Sequence, residues 1–155
     1  MSHNLFLARP KNILFKTIPT SAYIHIPFCR RRCYYCDFPI SVIGNSASKS
    51  IAVTEYVDRL CQEITITKTD IEYGEKTPTV RKLKTIFFGG GTPSLLSAKL
   101  ISQILQQLSA KFGIREDAEI SMEIDPGTFD KVQLQDYVAA GVNRFSLGVQ
   151  AFQPE

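Results

Sequence analysis

The chain has 155 residues, 44% of them hydrophobic and 21% charged, with a formal net charge of +3. That composition supplies one sizeable core, its mild basicity does not argue for a nucleic-acid partner, and no apolar run approaches the roughly 20 residues of a membrane span. Residues 1–20 alternate short apolar and basic pieces (NLFLARPKNILFKT) and read as an N-terminal arm. They lack the continuous apolar core and cleavage pattern of a signal peptide, so the expected location is cytoplasmic.

Residues 21–155 read as a single domain of alternating strands and helices. The first strand is expected over residues 21–26, followed by a cysteine-rich loop and a polar loop over 41–50. A helix is predicted over 52–65, with Val53, Val57, Leu60, Cys61 and Ile64 on one apolar stripe. Cys61 on that stripe behaves as a small hydrophobe. After a polar loop over 68–78, the run LKTIFF at 83–88 is the second strand. Ser97 caps a helix whose stripe is Leu100, Ile101, Ile104, Leu105 and Leu108, and Gly113 closes it. Residues 119–124 form the third strand. Asp130 caps a helix bearing Val132, Leu134, Tyr137 and Val138, with Gly141 as its stop. Residues 143–149 are the fourth strand. Such alternation predicts an α/β fold with a parallel sheet and helical crossovers.

The pattern within strands goes further. Ile120, Met122 and Ile124 share one face of the third strand, and Glu119, Ser121 and Glu123 share the other. In the fourth, Phe145, Leu147 and Val149 oppose Arg144, Ser146 and Gln150. In the first, Ile24 and Ile26 oppose Tyr23 and His25. Successive strand residues point to opposite faces. A sheet covered by helices on both sides has two apolar faces. One polar face fits a partial (β/α) barrel of about four parallel strands with outer helices and a ligand-holding interior.

Three loops at the C-terminal ends of these strands gather the unusual residues. The first, HIPFCRRRCYYCDF, holds Cys29, Cys33 and Cys36 in C-x3-C-x2-C spacing. Three thiolates this close suit a [4Fe–4S] cluster with one iron left open to a small molecule. Zinc is the alternative, with His25 completing a Cys3His site as a structural scaffold. Disulfides are not expected, since the chain has four cysteines and no secretory character. The second loop, GGGTPS, is neither a P-loop nor a dinucleotide fingerprint. Its glycines let the backbone approach a ligand, with carbonyls suiting an ammonium and amides a carboxylate. The third loop is DPGT.

The spacing of Cys29, Cys33 and Cys36, with Tyr35 before the last cysteine, resembles the radical S-adenosylmethionine (SAM) signature. YIHIPFC, FFGGGTPSLL, EIDPGT and NRFSLGVQAFQ resemble the HemN/HemW group of that family, over roughly residues 21–155. The group contains oxygen-independent coproporphyrinogen III oxidases of porphyrin biosynthesis and the related HemW-type haem chaperones. The resemblance implies that the three cysteines ligate a [4Fe–4S] cluster whose open iron is chelated by SAM. It implies that Gly90, Gly91 and Thr92 line the methionine end of SAM and that Tyr35 lies near the adenine. Tyr23, Glu123 and Gln150 match further SAM-contacting positions. In an active oxidase the cluster would supply one electron to cleave SAM, and the resulting radical would take hydrogen from substrate.

The oxidases carry a further cysteine two residues after the third. Here that position is Phe38, which resembles the HemW type and leaves enzyme activity an open question. The resemblance then implies haem or porphyrin as ligand, haem-accepting proteins and an electron donor as partners. Arg30, Arg31 and Arg32 inside the cysteine loop would raise the cluster potential or meet porphyrin propionates, or else stand as solvated loop charges. Family members continue well past Glu155, and the HNxxYW string of HemW proteins does not occur here. The chain is therefore expected to be an N-terminal fragment of the barrel.

Overall fold

The computed structural model describes residues 14–15, 19–44, 51–69, 82–150 and 153. Most of the expected arm, and parts of the loops at 41–50 and 68–78, lie outside the described residues. The elements are β1 (Leu14–Phe15), β2 (Ser21–Ile26), β3 (Phe28–Cys29), β4 (Ser41–Val42), α1 (Ile51–Ile66), β5 (Lys68–Thr69), β6 (Leu83–Gly90), α2 (Ala98–Phe112), β7 (Ile114–Ile124), α3 (Lys131–Ala139) and β8 (Arg144–Leu147). A short 3-10 turn, Pro93–Leu95, precedes α2.

The main sheet has four strands in the order β2-β6-β7-β8, all parallel. Strand order follows chain order with no reversal. A doubly wound sheet reverses and sends helices to both faces; here the helices can stay on one. Burial agrees. Ile24, Ile26, Ile86, Phe88, Ile120, Met122 and Ile124 join the stripes of α1 and α2 in one core. On the opposite face the paired row Tyr23, Phe87, Ser121 and Arg144 runs across all four strands, with Tyr23 and Arg144 exposed. The polar face expected from the alternation is thus the one without helices. Ser121 is the exception in burial: it is buried because it donates to Glu119 at 2.8 Å and lies under Arg144 at 3.3 Å.

The helices form where expected, with caps as read. The Ser97 side chain accepts from the Leu100 amide and Gly113, at φ 70°, closes α2. Asp130 accepts from the Gln133 amide. Val53, Val57, Cys61 and Ile64 are buried along α1, and Leu60 is half-buried beside them. α1 packs on α2 and α2 on α3.

The third helix bears Val132, Leu134, Tyr137 and Val138 as expected; Val132 and Val138 are 63% and 57% exposed, while Tyr137 is fully buried. In this nine-residue helix about one side chain per turn reaches the core, Leu134 and Tyr137. Several expectations need correcting. β7 begins at Ile114, five residues before the expected strand. Its early part carries Arg115, Glu116 and Asp117, all exposed, and the register against β6 shifts there between Leu83 and Thr85. A bulge frees those charges from the alternation rule. β6 runs on through Gly89 and Gly90, because the glycines continue the pairing with His25 and Ile26. β8 is shorter than expected, ending at Leu147. The loop at 41–50 opens with β4, which pairs with the strand that carries Cys29. Lys68–Thr69 likewise pairs with Leu14–Phe15.

Asn143 joins β7 to β8 by standing in for a strand. Its side chain accepts from the Ile120 amide and donates to the Ala118 carbonyl, both at 2.8 Å. Asn143→Ala is expected to cost about 1–2 kcal/mol in denaturant unfolding, since two backbone groups lose their partners at once.

Candidate functional site

The cysteine loop is anchored from several sides. Phe28 is buried and meets the Tyr56 ring edge-on at 5.3 Å. Tyr56 in turn donates to the His25 carbonyl at 2.6 Å. The Ser41 amide donates to Pro27 at 2.7 Å and the Ile43 amide to Cys29 at 3.0 Å. Cys29 is therefore fixed at a strand end. Cys33 and Cys36 sit on a turn closed by the Cys36 amide on the Cys33 carbonyl at 3.1 Å.

The glycine-rich loop locks onto this frame. The Gly91 amide donates to Ile26 and the Thr92 amide to Phe28, both at 2.7 Å. The Gly90 amide donates to Glu123 Oε2 at 3.1 Å. All three amides are spent inside the protein. Of the loop's carbonyls, those of Thr92, Pro93 and Ser94 are likewise engaged, by the Leu95 and Leu96 amides and the Tyr137 hydroxyl. The glycines are required sterically. A Cβ on Gly91 would stand 2.6 Å from the Phe28 carbonyl and 3.0 Å from the Cys29 sulfur, and one on Gly90 would stand 2.5 Å from the His25 ring.

The third loop is tied to the second by buried hydroxyls. Ser94 and Thr128 share a short hydrogen bond, Thr128 donates to the Asp125 carbonyl at 2.6 Å, and the Asp125 amide donates to Ser94 at 3.3 Å. Arg30 then crosses from the cysteine loop to the Gly127 carbonyl at 2.7 Å. Arg32 reaches the Cys36 carbonyl at 3.3 Å.

The result is one cavity of about 1210 Å³. Its walls include Cys29, Cys33, Cys36, Tyr35, Gly90, Gly91, Thr92, Glu123 and Gln150, which is every expected site residue except Tyr23. Tyr23 lies on the uncovered sheet face, stacked on Phe87 at 6.0 Å and touching His25 Nδ1 at 3.4 Å. Gln150 was expected on a strand; it follows β8 and accepts a hydrogen bond from Tyr35. Asp125 and Ser94 were not among the expected site residues, and Ser146 was expected only as part of the polar strand face. Asp125 and Ser146 line the cavity, and the signal for Asp125 was the DPGT loop itself.

Local electrostatics are mixed. Burial, followed by the neighbouring Cys36, Cys33 and Asp125, pushes up the Cys29 thiol, while a hydrogen bond from Thr92 pulls the other way. Burial also raises the Asp125 acid, against the pull of Arg30 and Arg31. The Tyr35 phenol is raised first by its contact with Cys33. Burial and then the Glu123 charge raise Tyr23.

Among the described residues, no group of three or more His, Cys, Asp or Glu side chains is arranged to hold a single metal ion. A closed zinc tetrahedron needs that convergence. His25 is turned to other work, its Nδ1 on Tyr23 and its Nε2 3.4 Å from the Pro39 carbonyl. The donor set does fit an iron–sulfur cluster: three free, half-buried thiols around one roomy cavity, with Gly91 leaving space beside the Cys29 sulfur.

Comparison with known proteins defines the class. The model of the radical SAM superfamily matches residues 23–155, and the chain belongs to that superfamily. Within it, the chain is 56% identical over 137 residues to heme chaperone HemW of Synechocystis sp., covering 88% of this chain and 31% of that protein. It is 40% identical to heme chaperone HemW of Escherichia coli, covering 92% of this chain and 35% of that one. Among solved structures it is similar to coproporphyrinogen III oxidase (HemN) from Escherichia coli, a radical SAM enzyme. That match has a TM-score of 0.71 and 33% identity, over 90% of this chain and 30% of the other. The chain thus spans about a third of the length of these relatives. No described helix is long and apolar enough to cross a membrane.

Proposed function

We propose that this chain is the cofactor-binding portion of a HemW-like haem chaperone. Cys29, Cys33 and Cys36 hold a [4Fe–4S] cluster, and SAM docks beside it against the glycine-rich loop. Haem is the cargo, passed to haem-requiring proteins in the cytoplasm, where thiols stay reduced. The observation that supports this best is convergence: the thiols, the glycine-rich loop and Asp125 line one cavity. The bound cluster and SAM would supply one-electron chemistry. The protein's own residues do the placing. Carbonyls of the glycine-rich loop meet an ammonium, Tyr35 and Gln150 flank one wall, and Glu123 braces the loop from below through the Gly90 amide.

A second reading is a coproporphyrinogen oxidase that uses the same cluster with an electron donor. The fold likeness to HemN favours it. Against it, the position of the oxidases' additional cysteine is Phe38, which is 53% exposed and offers no sulfur.

The test is anaerobic reconstitution of the chain with iron and sulfide, together with haem titration of the full-length protein that carries it. The chain is expected to retain both elements and to show sulfur-to-iron charge-transfer absorption, and the full-length protein is expected to bind haem saturably. Cys33→Ser is expected to drop iron to background. Stoichiometric zinc in place of iron would overturn the cluster reading, and absence of haem binding would overturn the chaperone reading.

A further inference from the structure

Thr92 matches a position that the family resemblance puts at the methionine end of SAM, yet its side chain is already engaged. Its Oγ1 donates to the Cys29 sulfur at 3.6 Å, a normal O–H···S separation. The residue is 9% exposed, so this hydroxyl is largely withdrawn from water. Its position is imposed by backbone, because the Thr92 amide is held on the Phe28 carbonyl, one residue before Cys29. The neighbouring Gly91 has no side chain to wedge the two loops apart. The nearby amides of Gly90 and Gly91 are bound to Glu123 and Ile26 and have nothing left for sulfur. The other hydroxyl beside the cysteines, Tyr35, lies by Cys33 rather than Cys29 and donates to Gln150.

We propose that Thr92 is a positioning residue for the Cys29 ligand, fixing its sulfur and setting the reduction potential of the cluster. This deepens the cluster reading above and rests on it. A donated proton stabilises negative charge on a ligand sulfur. The reduced cluster carries one more electron than the oxidised one, so it gains more from the bond, and the potential rises.

Three proteins test this: the wild-type chain, Thr92→Val, which keeps the shape and loses the donor, and Thr92→Ser, which keeps the donor. Each is reconstituted anaerobically, and its iron and sulfide content and midpoint potential are measured. The expected result is equal iron and sulfide in all three, a potential shifted negative in the valine variant and one near wild type in the serine variant. Equal potentials in all three, a serine variant shifted as far as valine, or loss of iron in the valine variant would overturn the proposal. Equal potentials would leave the cluster reading standing, whereas a wild-type chain that takes up no iron and sulfide would remove both.

Discussion

Gly91→Ala is expected to destabilise the chain by at least about 3 kcal/mol and to abolish iron uptake, the largest effect of any single methyl group in this site. The new Cβ would meet the Phe28 carbonyl at 2.6 Å and the Ile26 carbonyl at 2.9 Å. Both are backbone atoms of the strand end that carries Cys29, so neither can rotate away. Relief would require parting the glycine-rich loop from the cysteine loop and breaking the Gly91 and Thr92 amide bonds. Gly127→Ala is the control. Its Cβ would meet nothing within 4 Å, and only its φ of 78° resists the change. The cost there is about 1–2 kcal/mol, and the carbonyl that receives Arg30 remains. Urea unfolding and iron content of the two variants separate the effects. Equal behaviour would show that the loop contact does not matter.

Tyr137→Phe is expected to cost about 1–3 kcal/mol at neutral pH and to change the alkaline limb of stability. The buried phenol donates to the Leu96 carbonyl at 2.6 Å and the Ser94 carbonyl at 3.0 Å, and accepts from Gln133 at 2.9 Å. It ties α3 to the segment just after the glycine-rich loop. Burial pushes its pKa from 10.0 up to about 12, against a smaller opposing pull from Gln133. The folded state therefore keeps its proton where the unfolded chain has lost it. The associated stability is complete below pH 10 and is lost as pH rises toward 12. A shift of that size corresponds to roughly 3 kcal/mol. All other groups are common to both proteins, so the difference between wild type and Tyr137→Phe isolates the phenol. The stability gap should narrow above pH 10; a constant gap up to pH 12 would contradict the assignment.

Much of this architecture was legible in the sequence because period and chemistry agreed. The alternation of Ile120, Met122 and Ile124 against Glu119, Ser121 and Glu123 pointed to a one-sided sheet, and the buried faces follow it. Ser97, Asp130 and Gly113 announced the helix ends, because caps are local chemistry. The cysteine spacing and the three loop motifs pointed to the family, and the family model matches over residues 23–155. What failed was non-local. The early part of β7 carries three consecutive charges that no alternation rule would enter as strand. Which amides of GGGTPS stay free depends on Ile26, Phe28 and Glu123, residues distant in sequence. Tyr23 shares the inner face with Glu123, as the alternation implies, but lies outside the cavity wall, because facing inward does not fix depth along the strand.

The contact between Arg30 and Gly127 spans 97 positions of the chain. At ribosomal speeds that separation takes on the order of 5–20 s to synthesise. Until the third loop has emerged and folded, the thiol-bearing loop lacks this brace. A cluster held by these cysteines, as proposed above, would accordingly be braced on this side only once elongation has passed Gly127.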